Sequence, residues 1–369
     1  MVKDANLDVF FALLKAGLWE QDVELQKYGD ADYSKVIQFA TEQSVVGLVA
    51  AGLEHVIDVN VPKADKIQFI GQTIQLEQRN LAMNAFIAAL IQKLRDAGIY
   101  TVLVKGQGVA QCYERPLWRA CGDVDSFFDS ENYEKAKPFL SALASSVEEE
   151  EKRKKHLAMT IDSWVVELHG LMPTEISKRI NDGVALVQKD IFYNGGVRVW
   201  KDNGVDVFLP NPNNDAVIIF THYLQHFFCG GVGLRQISDW CRLLWTYRDS
   251  VDVNLLERRL SGMGIVAEWK AFAAFAVDYL EMPAEAMPLY DARRKWSRKA
   301  HRICLVVLDA GNFGHNKDNS YRTKYPLLVE KTITFFRRLG EYVRLCTIFP
   351  CDAPRFFVTY VCRRVKATI

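Results

Sequence analysis

The 369-residue sequence has no run of about 18 uncharged apolar residues, the minimum a helix needs to cross a bilayer. No transmembrane segment is therefore expected. The opening MVKDANLDVFFALLKAGLWEQD carries acids near its start and an amphipathic pattern, so it reads as neither a signal peptide nor a span. Charge of one sign is also missing. Lys plus Arg number 46 against 45 Asp plus Glu, a formal net charge of +1, whereas a nucleic-acid binder usually shows a basic excess or stripe. Eight cysteines are scattered at 112, 121, 229, 241, 304, 346, 351 and 362, none in C-x-x-C. That argues against a zinc-thiolate site and fits reduced thiols in a cytoplasmic protein. There is no internal repeat and no low-complexity segment. Nothing in the pattern fixes an oligomeric state. What remains is an ordinary globular composition, 49% hydrophobic and 25% charged, long enough for two or three domains or subdomains.

The most informative stretch is residues 100–129, YTVLVKGQGVAQCYERPLWRACGDVDSFFD. Tyr100 to Val104 is a short β-branched run suited to a buried strand. Lys105-Gly106-Gln107-Gly108 breaks it, and its glycines permit φ > 0 and close backbone approach to a bound group. A short helix through Ala110 and Tyr113 should end at Pro116. Gly122-Asp123-Val124-Asp125 then opens a second strand. Strand side chains alternate faces, so Asp123 and Asp125 point the same way while Val124 points into the core. Two crowded carboxylates repel, and a divalent cation relieves that repulsion. Oxygen ligands of this type suit Mg²⁺, held by one or two carboxylates plus substrate phosphates. The same D-x-D also occurs as two surface aspartates at a strand start.

Strand, glycine turn, helix, then a strand opening with D-x-D resembles the core of the polymerase-β-like nucleotidyltransferases. In particular it is similar to their uncharacterised bacterial branch, which carries a Lys-Gly turn, an Arg four residues before the first Asp, and G-D-[IV]-D. Here these are Lys105-Gly106, Arg119 and Gly122 to Asp125. The branch places a third carboxylate on a later strand, with His two residues on; Val165-Val166-Glu167-Leu168-His169 matches, with Glu where Asp is common. It also has a His before that strand, matching His156, and an R-x-x-x-D, matching Arg235 and Asp239. The resemblance implies an α+β fold: a small mixed β-sheet core over 98–210, flanked by helical regions 1–97 and 211–369.

It also implies that Asp123, Asp125 and Glu167 hold Mg²⁺ or Mn²⁺ and do the chemistry. Lys105, Gly106, Gln107, Arg119, Gly122, His156, His169, Arg235 and Asp239 would bind nucleotide and phosphate. The substrates would be a nucleoside triphosphate, ATP among the choices, and a hydroxyl of a sugar, small molecule or protein. Arg119 would stabilise developing charge or pair with a carboxylate of the site. Arg235 and Asp239 would form a structural ion pair or present an Arg to phosphate. A nucleotide-binding module without turnover, and a helical scaffold with an incidental D-x-D, remain the other readings.

Elsewhere the pattern predicts helices over 5–95. Leu7, Phe10, Phe11 and Leu14 fall at helical spacing, Asp32 or Ser34 caps a second helix, and a third covers Val45 to His55. A long helix from about Lys63 to Ala97 has Ile67, Ile70, Ile74, Leu81, Phe86, Leu90 and Leu94 as its expected core face. Ser130 to Ala144 should be helical, kinked or restarted at Pro138. Arg153, Lys154 and Lys155 sit in a charge run that reads as solvated or as reaching phosphate. His156 to Ile161 and Trp164 to His169 form a hairpin turning at Asp162-Ser163. In its second strand Val165, Glu167 and His169 share a face. Strands at Val197 to Trp200 and Val205 to Leu209 end at Pro210-Asn211-Pro212, the clearest linker. Asn213 or Asn214 should cap the next helix. That helix carries His222 and His226 one turn apart, but without the Glu of H-E-x-x-H they read as a packed or exposed pair. Gly230-Gly231-Val232-Gly233 reads as an interhelical turn. The tail, Phe335 to Lys366, mixes aromatics with Arg337, Arg338, Arg344, Arg355, Arg363 and Arg364, as at a helical domain edge.

Overall fold

The computed structural model describes residues 4–314, 316, 317, 324 and 326–366. Helices α1 (Ala5–Trp19), α2 (Tyr33–Glu42) and α3 (Val46–Glu54) precede the long α4 (Lys63–Asp96). Asp4 and Asp32 cap α1 and α2 by accepting from Asn6 N and Ser34 N, satisfying amides that no helical carbonyl reaches.

The core sheet contains β1 (Val102–Val104), β2 (Asp123–Phe127), β3 (Ser146–Val147), β4 (His156–Ile161) and β5 (Trp164–His169). Their order is β1-β2-β5-β4-β3. Only β2 and β5 run parallel; the other neighbours are antiparallel. Between β1 and β2 lies the short α5 (Gly106–Ala110), and α6 (Ser130–Ser141) follows β2, capped by Asp129. Pro138 sits inside α6 without ending it. The β4–β5 turn uses Asp162 and Ser163, both at positive φ (47° and 70°), the geometry of a tight hairpin.

Valines and leucines of the sheet's rear face, Val124, Val166 and Leu168, pack against Met83, Ile87, Leu90, Ile91 and Leu94 of α4 and Tyr133, Ala136 and Leu140 of α6. The opposite face carries the polar residues. The structure corrects the expected face of α4. Ile67, Ile70, Ile74 and Leu81 are 58%, 56%, 49% and 52% exposed. Leu90 and Leu94 are buried as expected, and the buried line continues through Phe69, Thr73, Asn80, Met83 and Ile87. The middle of α4 is fixed by a polar contact: Asn80 Nδ2 donates to the carbonyls of Leu117 and Arg119 (2.7 and 2.8 Å). An apolar-periodicity argument passes over such a position.

After α7 (Lys178–Tyr193), β6 (Val197–Asp202) and β7 (Val205–Pro210) form a separate hairpin. At Pro210-Asn211-Pro212, where the strands were expected to end, the chain passes directly from strand to helix. Pro210 ends β7, Asn211 caps α8 (Pro212–Cys229) by accepting from Asn214 N, and Pro212 takes the first turn, where its missing N–H does no harm. The cap is thus Asn211, not Asn213 or Asn214. Gly230 to Gly233 turns the chain into α9 (Leu234–Thr246), as expected. There follow α10 (Val253–Met263), α11 (Val266–Leu280), α12 (Arg294–Ala310), α13 (Leu327–Cys346) and α14 (Asp352–Lys366). The side chains of Arg363 and Arg364 lie outside the described residues.

The two helical regions share one core. Phe10, Leu13 and Leu14 of α1 belong to the same buried cluster as Phe220, Trp240, Trp269 and Phe272. Trp19 Nε1 donates to Leu280 O at 2.5 Å, tying α1 to the end of α11. The sheet is therefore clasped by helices from both ends of the chain, and its polar face meets α8 and α9 across a cavity.

Candidate active site

The site begins with β2 and β5. Their parallel register sets Asp123 beside Val165 and Asp125 beside Glu167, so the acidic side chains emerge on one face. Antiparallel β4 sets His156 opposite His169, and their rings lie 4.9 Å apart. His169 Nε2 sits 2.8 Å from Asp125 Oδ1 and 3.4 Å from Glu167 Oε2. His156 Nε2 is 3.1 Å from the same Glu167 oxygen. One imidazole thus touches two carboxylates that are 42 positions apart in sequence by their numbers.

Lys105 enters from the turn after β1, its Nζ 2.7 Å from Asp125 Oδ1. Its backbone is unusual: φ 56° and ψ −145°, a region L-residues avoid unless the surroundings impose it. Gly106 follows at φ 43°, where a Cβ would stand 3.3 Å from Cys121 Sγ. The turn is held tightly against the entry to β2.

The electrostatics show what the crowding does. Repulsion from Asp125, with burial, raises the Asp123 carboxyl above its ordinary range. Burial pushes Asp125 the same way, but Lys105 and His169 outweigh it and hold that carboxyl low. Hydrogen bonds from His156 and His169 depress Glu167 strongly. Burial disfavours the His169 imidazolium, yet its bonds to Asp125 and Glu167 raise its pKa. Three carboxylates are thus balanced by Lys105 and imidazole protons, a donor set that a divalent cation fits.

The cavity in front of these groups has a volume of about 480 Å³, within the range of small-molecule sites. Lys105, Gly106, Arg119, Gly122, Asp123, Asp125, His156, Glu167, His169, Arg235 and Asp239 all line it. Gln107 does not. Its side chain is buried, with Nε2 donating to Asn80 Oδ1 at 2.8 Å, so it braces α5 against α4.

A family model described as uncharacterised nucleotidyltransferase matches residues 29–281, more than half the chain. The chain belongs to that nucleotidyltransferase family. No curated protein and no solved structure matches it. The family implies a transferase with a nucleotide substrate, and the matched segment contains every residue of the site.

Within this family member, Asp239 is engaged by a partner the sequence did not pair with it. Arg119 Nε and Nη2 donate to its two oxygens at 3.0 and 2.6 Å, and Tyr113 Oη donates to Oδ1 at 2.8 Å. Arg119 Nη1 is buried without a hydrogen-bond partner. Arg235 donates from Nη1 to Ala120 O at 3.0 Å. Burial and the neighbouring Arg119 lower its pKa.

His222 and His226, expected as a packed or exposed pair, pack against each other in the cavity wall, their Nε2 atoms 3.2 Å apart. Burial, then the charge of Lys105, depresses both, His226 to about 4. Their spacing of one helical turn was the available signal; that this face of α8 looks onto the sheet was not legible. Lys154, from the charge run, also lines the cavity and pairs with Glu151 and Glu175 (2.9 and 3.1 Å). No helix among the described residues is long and apolar enough to cross a membrane.

Proposed function

We propose that the protein is a metal-dependent nucleotidyltransferase that moves a nucleoside monophosphate from a nucleoside triphosphate to an acceptor hydroxyl. The observation that carries this reading is the parallel β2–β5 register, with Asp125 beside Glu167 on the wall of a cavity that also holds Asp123, Lys105 and Arg235.

Asp123, Asp125 and Glu167 would hold Mg²⁺ or Mn²⁺. Bound there, the ion would neutralise charge at the α-phosphate and lower the pKa of the attacking hydroxyl. The acceptor oxygen forms a bond to the α-phosphorus as the bond to the β-phosphate oxygen breaks, and pyrophosphate leaves with that electron pair. Lys105, on the wall beside Asp125, supplies positive charge for the phosphates. Glu167 completes a second metal position or takes the hydroxyl proton as base. Arg119 lines the cavity and keeps one buried Nη1 without a hydrogen-bond partner, while its other donors fix Asp239.

Calorimetry with ATP, CTP, GTP and UTP, with and without Mg²⁺ or Mn²⁺, tests the first half of the reading. Metal-dependent binding of at least one nucleotide, lost in Asp123→Ala and Asp125→Ala with the fold intact, is expected. Absence of binding to all four sinks it. Pyrophosphate release with supplied hydroxyl compounds then separates a transferase from a nucleotide-binding module.

A further inference from the structure

The carboxylate face is not chemically uniform. Asp123 and Asp125 offer only oxygen. One strand over, Glu167 is flanked by two imidazoles, and one ligand atom from each of His156, Glu167 and His169 lies within 4.8 Å of the others. The individual separations are 3.1 Å for His156 Nε2 to Glu167 Oε2 and 3.4 Å for His169 Nε2 to the same oxygen. An ion 2.0–2.2 Å from N and O ligands in a tetrahedral site sets those ligands roughly 3.3 Å from one another. Two of the three separations match that spacing, and the third lies within 4.8 Å.

We propose that His156, Glu167 and His169 form a second cation position that selects a first-row transition ion of the Zn²⁺ type over Mg²⁺. Imidazole nitrogen suits these ions, whereas Mg²⁺ prefers an all-oxygen shell. The assignment deepens the nucleotidyltransferase reading and rests on it only for the ion's role. The oxygen-only position at Asp123 and Asp125 takes Mg²⁺ with the triphosphate, and the nitrogen-rich position takes the second ion of a two-ion site.

Backbone geometry supports the assignment independently of side-chain rotamers. His156 and His169 are register partners on antiparallel strands, and Glu167 is two residues from His169 on the same face. Three donors converge from two adjacent rigid strands rather than from loops. The cluster lies on the cavity wall, open to phosphate or water as the remaining ligand. His156 and Glu167 are both partly exposed, so an ion can enter.

The rival in the same cavity is the His222–His226 pair, whose Nε2 atoms are 3.2 Å apart. It provides two nitrogens and no carboxylate.

The test is Co²⁺ titration of the full chain, followed by visible absorption and by equilibrium dialysis with metal analysis. The expected result is one Co²⁺ per chain that survives a hundredfold excess of Mg²⁺. Affinity should fall at least tenfold in His156→Gln and in His169→Gln, and stay within about threefold in Asp123→Asn and His222→Gln. Circular dichroism confirms that each variant is folded; His156 is partly exposed, so its variant should keep the fold. The inference is overturned if His156→Gln binds Co²⁺ as the parent does, if Mg²⁺ displaces it at equal concentration, or if His222→Gln abolishes the signal. Nucleotide binding with Mg²⁺ is scored separately in Asp123→Asn, so failure of the nucleotidyltransferase reading leaves the Co²⁺ result standing, and the reverse.

Discussion

Replacing Arg119 separates two roles that the sequence leaves open. Its guanidinium and the Asp239 carboxylate are bonded in bidentate fashion, with side chains 4% and 6% exposed. Arg119→Met removes both donors and leaves Tyr113 Oη as the carboxylate's remaining side-chain hydrogen bond among the described residues. Breaking a buried pair by removing one partner costs about 3–5 kcal/mol, because the remaining charge stays desolvated. At a urea slope of about 3 kcal/mol per molar, the unfolding midpoint should fall by roughly 1–1.7 M. The double variant Arg119→Met with Asp239→Leu removes the stranded charge and should recover most of the loss. Tryptophan fluorescence and far-ultraviolet circular dichroism follow the transition. If Arg119→Met unfolds within about 0.5 kcal/mol of the parent while losing nucleotide affinity, the pair is not what holds α9 to the β2 entry. Arg119 would then be a phosphate-binding residue first.

Three further outcomes follow from the same structure. Glu268 is fully buried on α11, and burial together with Asp352 raises its pKa from 4.5 to about 8. An acid raised on folding stabilises most below its unfolded value, so stability should decline as pH climbs from 4.5 towards 8, by an amount on the order of 4–5 kcal/mol. Urea midpoints in Glu268→Gln should be nearly flat over that window, and an unchanged slope would refute the assignment. Gly106→Ala places a Cβ at φ 43° against Cys121 Sγ and Asp123 O; a cost of about 1–2 kcal/mol and weakened nucleotide binding are expected, and calorimetry alongside denaturation checks both. Ile70→Lys on the exposed side of α4 should change stability by less than about 0.5 kcal/mol, while Phe220→Ala in the aromatic core should cost about 3–5 kcal/mol; similar values for the two would contradict the burial pattern.

The local chemistry was written in the sequence. Alternation within Asp123-Val124-Asp125 and Val165 to His169 fixed which side chains share a face, since a strand offers no other choice. The hairpin at Asp162-Ser163 and the capping aspartates Asp4, Asp32 and Asp129 follow from equally local rules, in which a short polar side chain satisfies nearby amides. What these rules cannot reach is which surfaces meet. The pairing of β2 with β5, the partnership of Arg119 with Asp239, and the turning of His222 and His226 towards the carboxylates join segments far apart in the chain. The apolar stripe on α4 held at Leu90 and Leu94 but not at Ile67, Ile70, Ile74 and Leu81, for the same reason: amphipathicity gives a face, but only the packed neighbours decide whether that face is covered. Residue pattern therefore determined the polar side chains on each strand. Tertiary packing decided that they converge, because burial and cross-strand register are properties of two segments together and of neither alone.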